Sequence, residues 1–267
     1  MSSPLGRSRK QKAAPEFLCE RVFRPLAHLL VVVLLPLRVP PVLVAASAGV
    51  TGVAAAVELG RGDFLAAALL VQLKTVLDNA DGQLARLSGR ITVLGRYLDS
   101  ELDLFVNAAL FAAAGWATGR PLLAALGFLA LTTVLSVNYN VERLYRAERG
   151  AEAAAMPEAE GRADSLLRGV YLLLYAPQDR LVERYFAQRL RSAGPEARLV
   201  YHDRTTVSIL ANLGMSTQLA AFGLCIAVGR PLAFAWIALA ELGLVALLAL
   251  RRELAVRTIP DPKEETT

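Results

Sequence analysis

The chain has 267 residues, of which 55% are apolar and only 7% are aromatic, and its formal net charge is +5. With a mean hydropathy of +0.42, this composition is more apolar than that of ordinary soluble proteins and predicts several membrane spans. The basic residues are mainly arginines outside the apolar runs, where we expect them to face the cytoplasm and anionic lipid. Nucleic-acid binding is therefore not favoured.

The N-terminal region is polar before it becomes apolar. Residues 1–15 are basic and small, and we expect them to be disordered. No cleavable signal is indicated, because the first apolar run begins only near Leu26 and no small-residue cleavage pattern follows it. Between Glu16 and Arg38, charges accompany a short apolar run that contains Pro36, which favours an interfacial amphipathic helix over a span.

Six longer apolar runs follow, and they predict an all-α fold, an integral membrane bundle of six transmembrane helices. The expected spans are residues 40–59, 64–86, 93–118, 122–145, 205–228 and 232–250. Gly-Arg turns separate the first span from the second, the third from the fourth and the fifth from the sixth. The membrane domain is expected to cover residues 16–255, and a polar tail covers 256–267.

Between the fourth and fifth spans lies a charged stretch and then a mixed segment, residues 166–190. The second half of this segment has the spacing of an amphipathic surface helix. An ordinary loop helix and an element that gates lipid or substrate are both compatible with that pattern.

Arginines are distributed unequally between the two sets of connections. One set carries a single arginine in each turn, at Arg61, Arg120 and Arg230, whereas the other set carries most of the rest and the basic N-terminus. The positive-inside rule therefore predicts that both termini are cytoplasmic. An even number of spans agrees with this prediction.

Four carboxylates, those of Asp78, Asp81, Asp99 and Asp103, border the second and third spans. A charge at the centre of a bilayer costs about 2.5–3.5 kcal/mol on insertion scales, so these acids require compensation. Their spacings of three and four place each pair on one helix face, and the short connection makes the two helices antiparallel neighbours. We therefore expect one cluster of four acids near the cytoplasmic end, suited to Mg²⁺ or Mn²⁺.

Small residues and one arginine accompany the acids. Gly82 and Ala85 are small and leave space beside the first acid pair, and Gly95 leaves space on the facing helix. Arg86 supplies a cation suited to phosphate oxygens. Together these features predict a metal-dependent diphosphate site that favours displacement at phosphorus.

This arrangement resembles the CDP-alcohol phosphotransferase family, whose pattern is D-x2-D-G-x2-A-R-x8-G-x3-D-x3-D. The chain matches each fixed position, namely Asp78, Asp81, Gly82, Ala85, Arg86, Gly95, Asp99 and Asp103. The six expected spans and the N-terminal helix are also similar to that family, so the resemblance covers roughly residues 20–255.

The resemblance implies transfer of a substituted phosphate group, usually phosphatidyl, from a CDP-linked donor such as CDP-diacylglycerol to an alcohol hydroxyl. CMP would be released, and the reaction would belong to phospholipid biosynthesis. Asp103 would act as the general base that takes the proton of the acceptor hydroxyl. The metal ligands of two ions, Mg²⁺ or Mn²⁺, would be Asp78, Asp81, Asp99 and Asp103. The cytidine diphosphate would contact Gly82, Ala85, Arg86 and Gly95.

The resemblance further implies a homodimer among membrane lipids, in a cell membrane of bacterial type, with a cytoplasmic active site. Two departures from the family pattern stand out. Many members read P-N-x-x-T where the first span opens, but this chain has Pro41 in place of the asparagine. After Asp99 the chain reads SELDLF rather than the PLADK of phosphatidylglycerophosphate synthases, which makes glycerol phosphate a less favoured acceptor than inositol phosphate or another polar alcohol.

Other polar residues near the cytoplasmic helix ends could bind the acceptor. The candidates are Arg96, Asn138, Arg143 and Arg204. Lys74 lies one turn before Asp78 and could pair with it. Cys19 and Cys225 are far apart and lack metal-binding spacing, so we expect free thiols.

Two alternatives deserve comparison. A UbiA-like prenyltransferase also uses intramembrane aspartates and Mg²⁺ on a diphosphate donor, but its two acid motifs are normally far apart in the chain. A non-enzymatic divalent-cation transporter would carry its acids at the bilayer midplane on broken helices. Here both acid pairs fall on one hairpin at the cytoplasmic end, which favours the phosphotransferase.

Overall fold

A computed structural model describes residues 12–150, 176–191 and 193–257, without the side chains of residues 93, 94, 96, 97 and 176–179. In these ranges the regular elements are all helical. A π-helical turn, Cys19–Phe23, continues into α1, Arg24–Leu34. The remaining helices are α2 Pro41–Arg61, α3 Phe64–Ser88, α4 Val93–Thr118, α5 Pro121–Ala147, α6 Ala176–Arg189, α7 Pro195–Tyr201, α8 Arg204–Ala211, α9 Met215–Ala227 and α10 Ala233–Arg257.

Within the described ranges, four stretches are long and apolar enough to cross a membrane: Pro41–Arg61, Pro121–Ala147, Pro195–Ala227 and Ala233–Arg257. They indicate an integral membrane protein. The helices α3 and α4 coincide with the second and third expected spans, but they carry the charges of the acid cluster and are not among these four stretches. That these two helices also cross the membrane remains a prediction.

Glycine turns set the ends of several helices. Gly62, Gly119 and Gly229 adopt left-handed conformations, with φ of +86°, +66° and +71°, and each follows the end of an apolar helix. A side chain would be strained there, so glycine is the residue expected. In the structure these helices end at the turns that the Gly-Arg motifs mark.

The helix α2 is the shared partner of the two acid-bearing helices. It packs against both α3 and α4, which approach each other much less closely. Two glycines make the contact with α4 close: a Cβ on Gly49 would lie 2.8 Å from Leu102 Cδ2, and one on Gly52 would lie 2.5 Å from Val106 Cγ1. Helix α2 thus fixes where the acids of α3 and α4 face each other.

The main apolar core lies among α2, α3, α4, α5, α9 and α10. Its aromatic centre consists of Phe111, Phe222 and Phe234, and the last two rings stack with centroids 4.6 Å apart. A separate cluster joins α1 to the end of α3 that carries the acids, through Ala27 and Val31. The N-terminal helix is therefore present, whereas its position along a membrane surface remains a prediction.

The expected fifth span is divided in the structure. Helix α8 ends at Ala211, and α9 begins at Met215. Glu16, which is buried, accepts hydrogen bonds from the Thr217 backbone N–H at 2.8 Å and from its hydroxyl at 3.0 Å. A carboxylate at the start of a helix satisfies N–H groups that have no partner within the helix. The N-terminal segment therefore stabilises the start of α9.

The structure describes only part of the N-terminal segment and of the segment between the fourth and fifth expected spans. Residues 1–11 and 166–175 lie outside the described ranges. Packing against the body begins just after residue 12, because Ala14 is buried and the Ala13 N–H donates to Glu142 Oε1 at 3.0 Å. The second half of the 166–190 segment forms α6. Cys19 and Cys225 are both free and buried.

Candidate active site

Three of the four acids meet between α3 and α4. One carboxylate oxygen from each of Asp78, Asp99 and Asp103 lies within 4.8 Å of the others. Asp99 and Asp103 are one turn apart and share a face of α4, while Asp78 approaches from α3. All three side chains are partly accessible, so a ligand can reach them.

Asp81 is placed differently. It is only 7% exposed, and its Oδ2 atom accepts no hydrogen bond from the described part of the chain. Its charge acts on the Asp99 carboxylate together with those of Asp78 and Asp103. A buried carboxylate oxygen without a partner is costly, and a cation is the partner that would satisfy it.

Lys74 is the cation that the chain itself brings to the cluster. Its Nζ atom donates to Asp78 Oδ1 at 3.0 Å and also pairs with Asp103, and the residue is only 2% exposed. The partnership with Asp78 follows from the spacing of four, as predicted. The partnership with Asp103 depends on how α3 and α4 pack, and no local pattern indicates it.

The donor set fits a hard divalent cation. Four carboxylates face the ammonium group of Lys74 and the guanidinium of Arg86, so negative charge remains in excess and the acids repel one another. The group of three acids offers carboxylate oxygens alone, which Mg²⁺ and Mn²⁺ prefer over softer metals. The cluster can therefore hold a metal ion.

The glycine after Asp81 makes room for the motif arginine. A Cβ on Gly82 would lie 3.2 Å from Nη1 and 3.4 Å from Nη2 of Arg86, so the guanidinium lies over the bare backbone of Gly82. The charges that act on Arg86 include those of Asp81 and Asp99. Arg86 is thus held beside the acids, where it can meet phosphate oxygens.

The other two small motif residues lie at helix ends. The Ala85 carbonyl accepts the Arg90 N–H at 3.0 Å at the end of α3. The Gly95 N–H donates to Thr92 Oγ1 at 3.0 Å at the start of α4, and a Cβ on Gly95 would lie 3.1 Å from that oxygen. Gly95 therefore serves the helix cap, and its contact with a nucleotide remains a prediction.

Hydrogen bonds connect the side chains of Cys19, Asn79 and Ser216 next to Asp78, and no sequence pattern predicts them. The Cys19 thiol donates to Asn79 Oδ1 at 3.1 Å, and Asn79 Nδ2 donates to Ser216 Oγ at 3.1 Å. These bonds join the π-helical turn and α9 to the residue that follows Asp78. They arise from tertiary packing between segments far apart in the chain.

The acceptor candidates are only partly placed. The side chain of Arg96 lies outside the description. Arg143 pairs with Glu183 of α6 and donates to Asn140 Oδ1 at 3.2 Å, while Arg204 is exposed. The described hydrogen bonds and ion pairs of these arginines do not reach the four acids, so their role in acceptor binding remains a prediction.

Comparison with known proteins extends this description. The family model of CDP-alcohol phosphatidyltransferase matches residues 25–187, more than half of the chain. The chain belongs to this family. The family membership confirms the resemblance carried by the eight motif residues and supports a transferase activity. Members of the family use divalent metals, in agreement with the acid cluster.

A curated relative matches a shorter part of the chain. The protein described as "Bifunctional IPC transferase and DIPP synthase", from Thermococcus kodakarensis, is 36% identical over 106 residues. The match covers 37% of this chain and 24% of that relative. The chain thus spans about a quarter of the length of the relative.

Proposed function

We propose that this chain is a membrane enzyme that transfers a substituted phosphate group from a CDP-linked donor to an alcohol hydroxyl and releases CMP. CDP-diacylglycerol is the first candidate donor, and the reaction would belong to phospholipid biosynthesis. The observation that carries the proposal is the convergence of Asp78, Asp99 and Asp103 within 4.8 Å in a chain of the CDP-alcohol phosphatidyltransferase family. The position of Arg86 beside them supports a phosphate ligand.

Divalent ions, Mg²⁺ or Mn²⁺ and two in number, would be held by the converging acids and by Asp81. When bound, such ions neutralise the diphosphate and stabilise the charge that develops at phosphorus. The unpartnered Oδ2 of Asp81 supports its place in this set. Arg86 would bind donor phosphate oxygens, and the space over Gly82 orients its guanidinium for that role.

Asp103 would act as the general base. Its side chain keeps 15% of its surface exposed, so an alcohol hydroxyl can approach the carboxylate. The hydroxyl proton would move to Asp103 as the alcohol oxygen bonds to phosphorus and the bond from phosphorus to the CMP oxygen breaks. Lys74 would hold this carboxylate toward the cluster.

The proposed membrane arrangement has six spans, with α3 and α4 as the second and third. Both termini and the active site would face the cytoplasm of a bacterial-type cell, because the connections at that end carry most of the arginines. A homodimer is proposed from the family resemblance.

Acceptor and donor are tested together in one assay. Purified protein with Mg²⁺ would be given diacyl, ether-linked or lipid-free CDP-linked donors and a panel of acceptors, namely inositol phosphate, glycerol phosphate and uncharged polar alcohols. We expect one pair to yield CMP and the matching phosphodiester in equal amounts, measured by mass spectrometry. Absence of CMP with every pair would refute the proposed function.

A further inference from the structure

Lys74 is an unusual residue to find in a site for divalent cations. Its ammonium group is buried, and it contacts two of the carboxylates that would bind metal, Asp78 and Asp103. A buried lysine in a membrane protein is expensive unless it is paired. Asp78 and Asp103 supply that pairing from two different helices, so the position of Lys74 is built into the fold.

We infer that Lys74 is a resident cation of the site, which competes with divalent ions for Asp78 and Asp103 and joins α3 to α4 when no metal is bound. The inference rests on the proposed function for the presence of metal at these acids. It adds a role for a residue outside the eight motif positions.

The competition follows from electrostatics. A carboxylate oxygen that accepts a hydrogen bond from Lys74 already interacts with a positive charge. It is therefore a weaker ligand for a divalent cation. An ammonium within a few ångströms of a divalent ion repels it strongly at the effective dielectric of a protein. Without a bound donor, the site therefore binds a divalent ion less tightly than its four carboxylates alone would. A diphosphate donor brings negative charge to the site, so its binding favours the binding of metal.

The joining role follows from the positions of the partners. Asp78 lies one turn after Lys74 on α3, whereas Asp103 lies on α4. Helices α3 and α4 have few close contacts of their own because both pack on α2. The ion pair between Lys74 and Asp103 thus links the two helices directly, at the level of the acids.

The test uses the full-length protein in detergent without substrate. Lys74→Met keeps the length of the side chain and removes its charge, and Lys74→Gln is a second neutral variant in case the first does not fold. Lys12→Met is the matched control, because Lys12 also pairs with a buried acid one turn away, Glu16, at 3.3 Å. Mn²⁺ affinity is measured by electron paramagnetic resonance, and the thermal unfolding midpoint is measured in EDTA and in Mg²⁺.

We expect the neutral Lys74 variants to bind Mn²⁺ at least about tenfold more tightly than the wild type, with Lys12→Met unchanged. In EDTA they should unfold at a lower temperature than the wild type, and Mg²⁺ should narrow this difference, because the metal replaces the lost charge. Equal or weaker Mn²⁺ binding by the neutral variants would overturn the inference. The CMP assay decides the proposed function separately, since neither readout here requires turnover.

Discussion

Asp103 has neighbours of both charges. Lys74 pairs with it, and Asp78 and Asp99 each place a carboxylate oxygen within 4.8 Å of one of its own. This position suits a carboxylate that must accept a proton next to a metal cluster. The neighbouring acids keep the cluster rich in oxygen ligands even when Asp103 is altered. Because Asp103 is also a proposed metal ligand, the Mn²⁺ affinity of an Asp103 variant has to be measured beside its turnover to separate the two roles.

The first prediction concerns this residue. Asp103→Asn should lower CMP release by about 10²–10⁴-fold at saturating Mg²⁺, because the amide cannot take the acceptor proton. The variant should remain folded, as measured by size-exclusion chromatography and thermal unfolding. Turnover close to that of the wild type would contradict the base assignment.

Gly82 gives a second prediction at this scale. A methyl group at this position would lie 3.2 Å from Arg86 Nη1, so Gly82→Ala should displace the guanidinium. Because the guanidinium must move by a few tenths of an ångström and its hydrogen bonds to phosphate oxygens depend on geometry, we expect KM for the CDP-linked donor to rise. The control is Gly60→Ala, where the nearest atom to a new Cβ is Ala113 Cβ at 3.9 Å. An unchanged KM in Gly82→Ala would contradict the proposal that the space over Gly82 orients Arg86 for phosphate binding.

Individual residues were predictable where local spacing decides their position. The pairs Lys74 with Asp78 and Asp99 with Asp103 are each four apart, and the structure places each pair on one helix face. The pairing of Lys74 with Asp103 depends on the relative positions of two helices, which no spacing encodes. The separate placement of Asp81 has the same cause. Its spacing of three puts it on the same face of α3 as Asp78, but whether its carboxylate joins those of Asp99 and Asp103 depends on how α3 and α4 pack.

At the scale of elements, α2 determines the geometry of the site. Its small residues allow it to approach α4 closely at Gly49 and Gly52, and it also packs along α3. The acids therefore occupy a cleft between two helices that share a partner. Small residues are common at such helix contacts in membrane proteins.

The third prediction follows from this packing. Gly52→Ala would place a methyl group 2.5 Å from Val106 Cγ1, and overpacking of this kind costs about 1–3 kcal/mol. Val106 lies three residues after Asp103, so the shift of α4 should also weaken Mn²⁺ binding. Thermal unfolding and Mn²⁺ titration would be compared with Gly60→Ala, on the same helix. A thermal unfolding midpoint equal to that of Gly60→Ala would contradict this prediction, because α2 and α4 would then accommodate the methyl group without loss of stability.

Some helices end at turns that the sequence marks, whereas others end where no such motif occurs. The motifs around Gly62, Gly119 and Gly229 end helices because of their left-handed backbone. The break between α8 and α9 lies inside an apolar run at residues 212–214, where no Gly-Arg motif occurs but Gly214 precedes α9. Glu16, about 200 residues earlier in the chain, binds the start of α9.

In the molecule as a whole, four stretches of the described residues are apolar enough to span a membrane, and α3 and α4 carry the charges of the site. The predicted orientation depends on arginine distribution, which is a property of the sequence. If α3 and α4 also span, the acid cluster lies at the end of the bundle where arginines are most frequent.

The fourth prediction tests this orientation. In a background without Cys19 and Cys225, single cysteines would replace Arg120 and Arg230 in one set of connections and Arg90 in the other. Because positive residues are retained in the cytoplasm, an impermeant maleimide added to intact cells should label positions 120 and 230 but not position 90. Labelling of position 90 alone would reverse the orientation.

The central claim is that the acids between α3 and α4 form a metal-dependent phosphotransfer centre. Its most direct test is CMP release from a CDP-linked donor by the purified wild type and by Asp78→Asn, each in EDTA and after addition of Mg²⁺ or Mn²⁺. We predict release by the wild type that EDTA abolishes and the metal restores, and loss of release in the variant at every metal concentration. Release that persists in EDTA, or equal release by Asp78→Asn, would contradict the account.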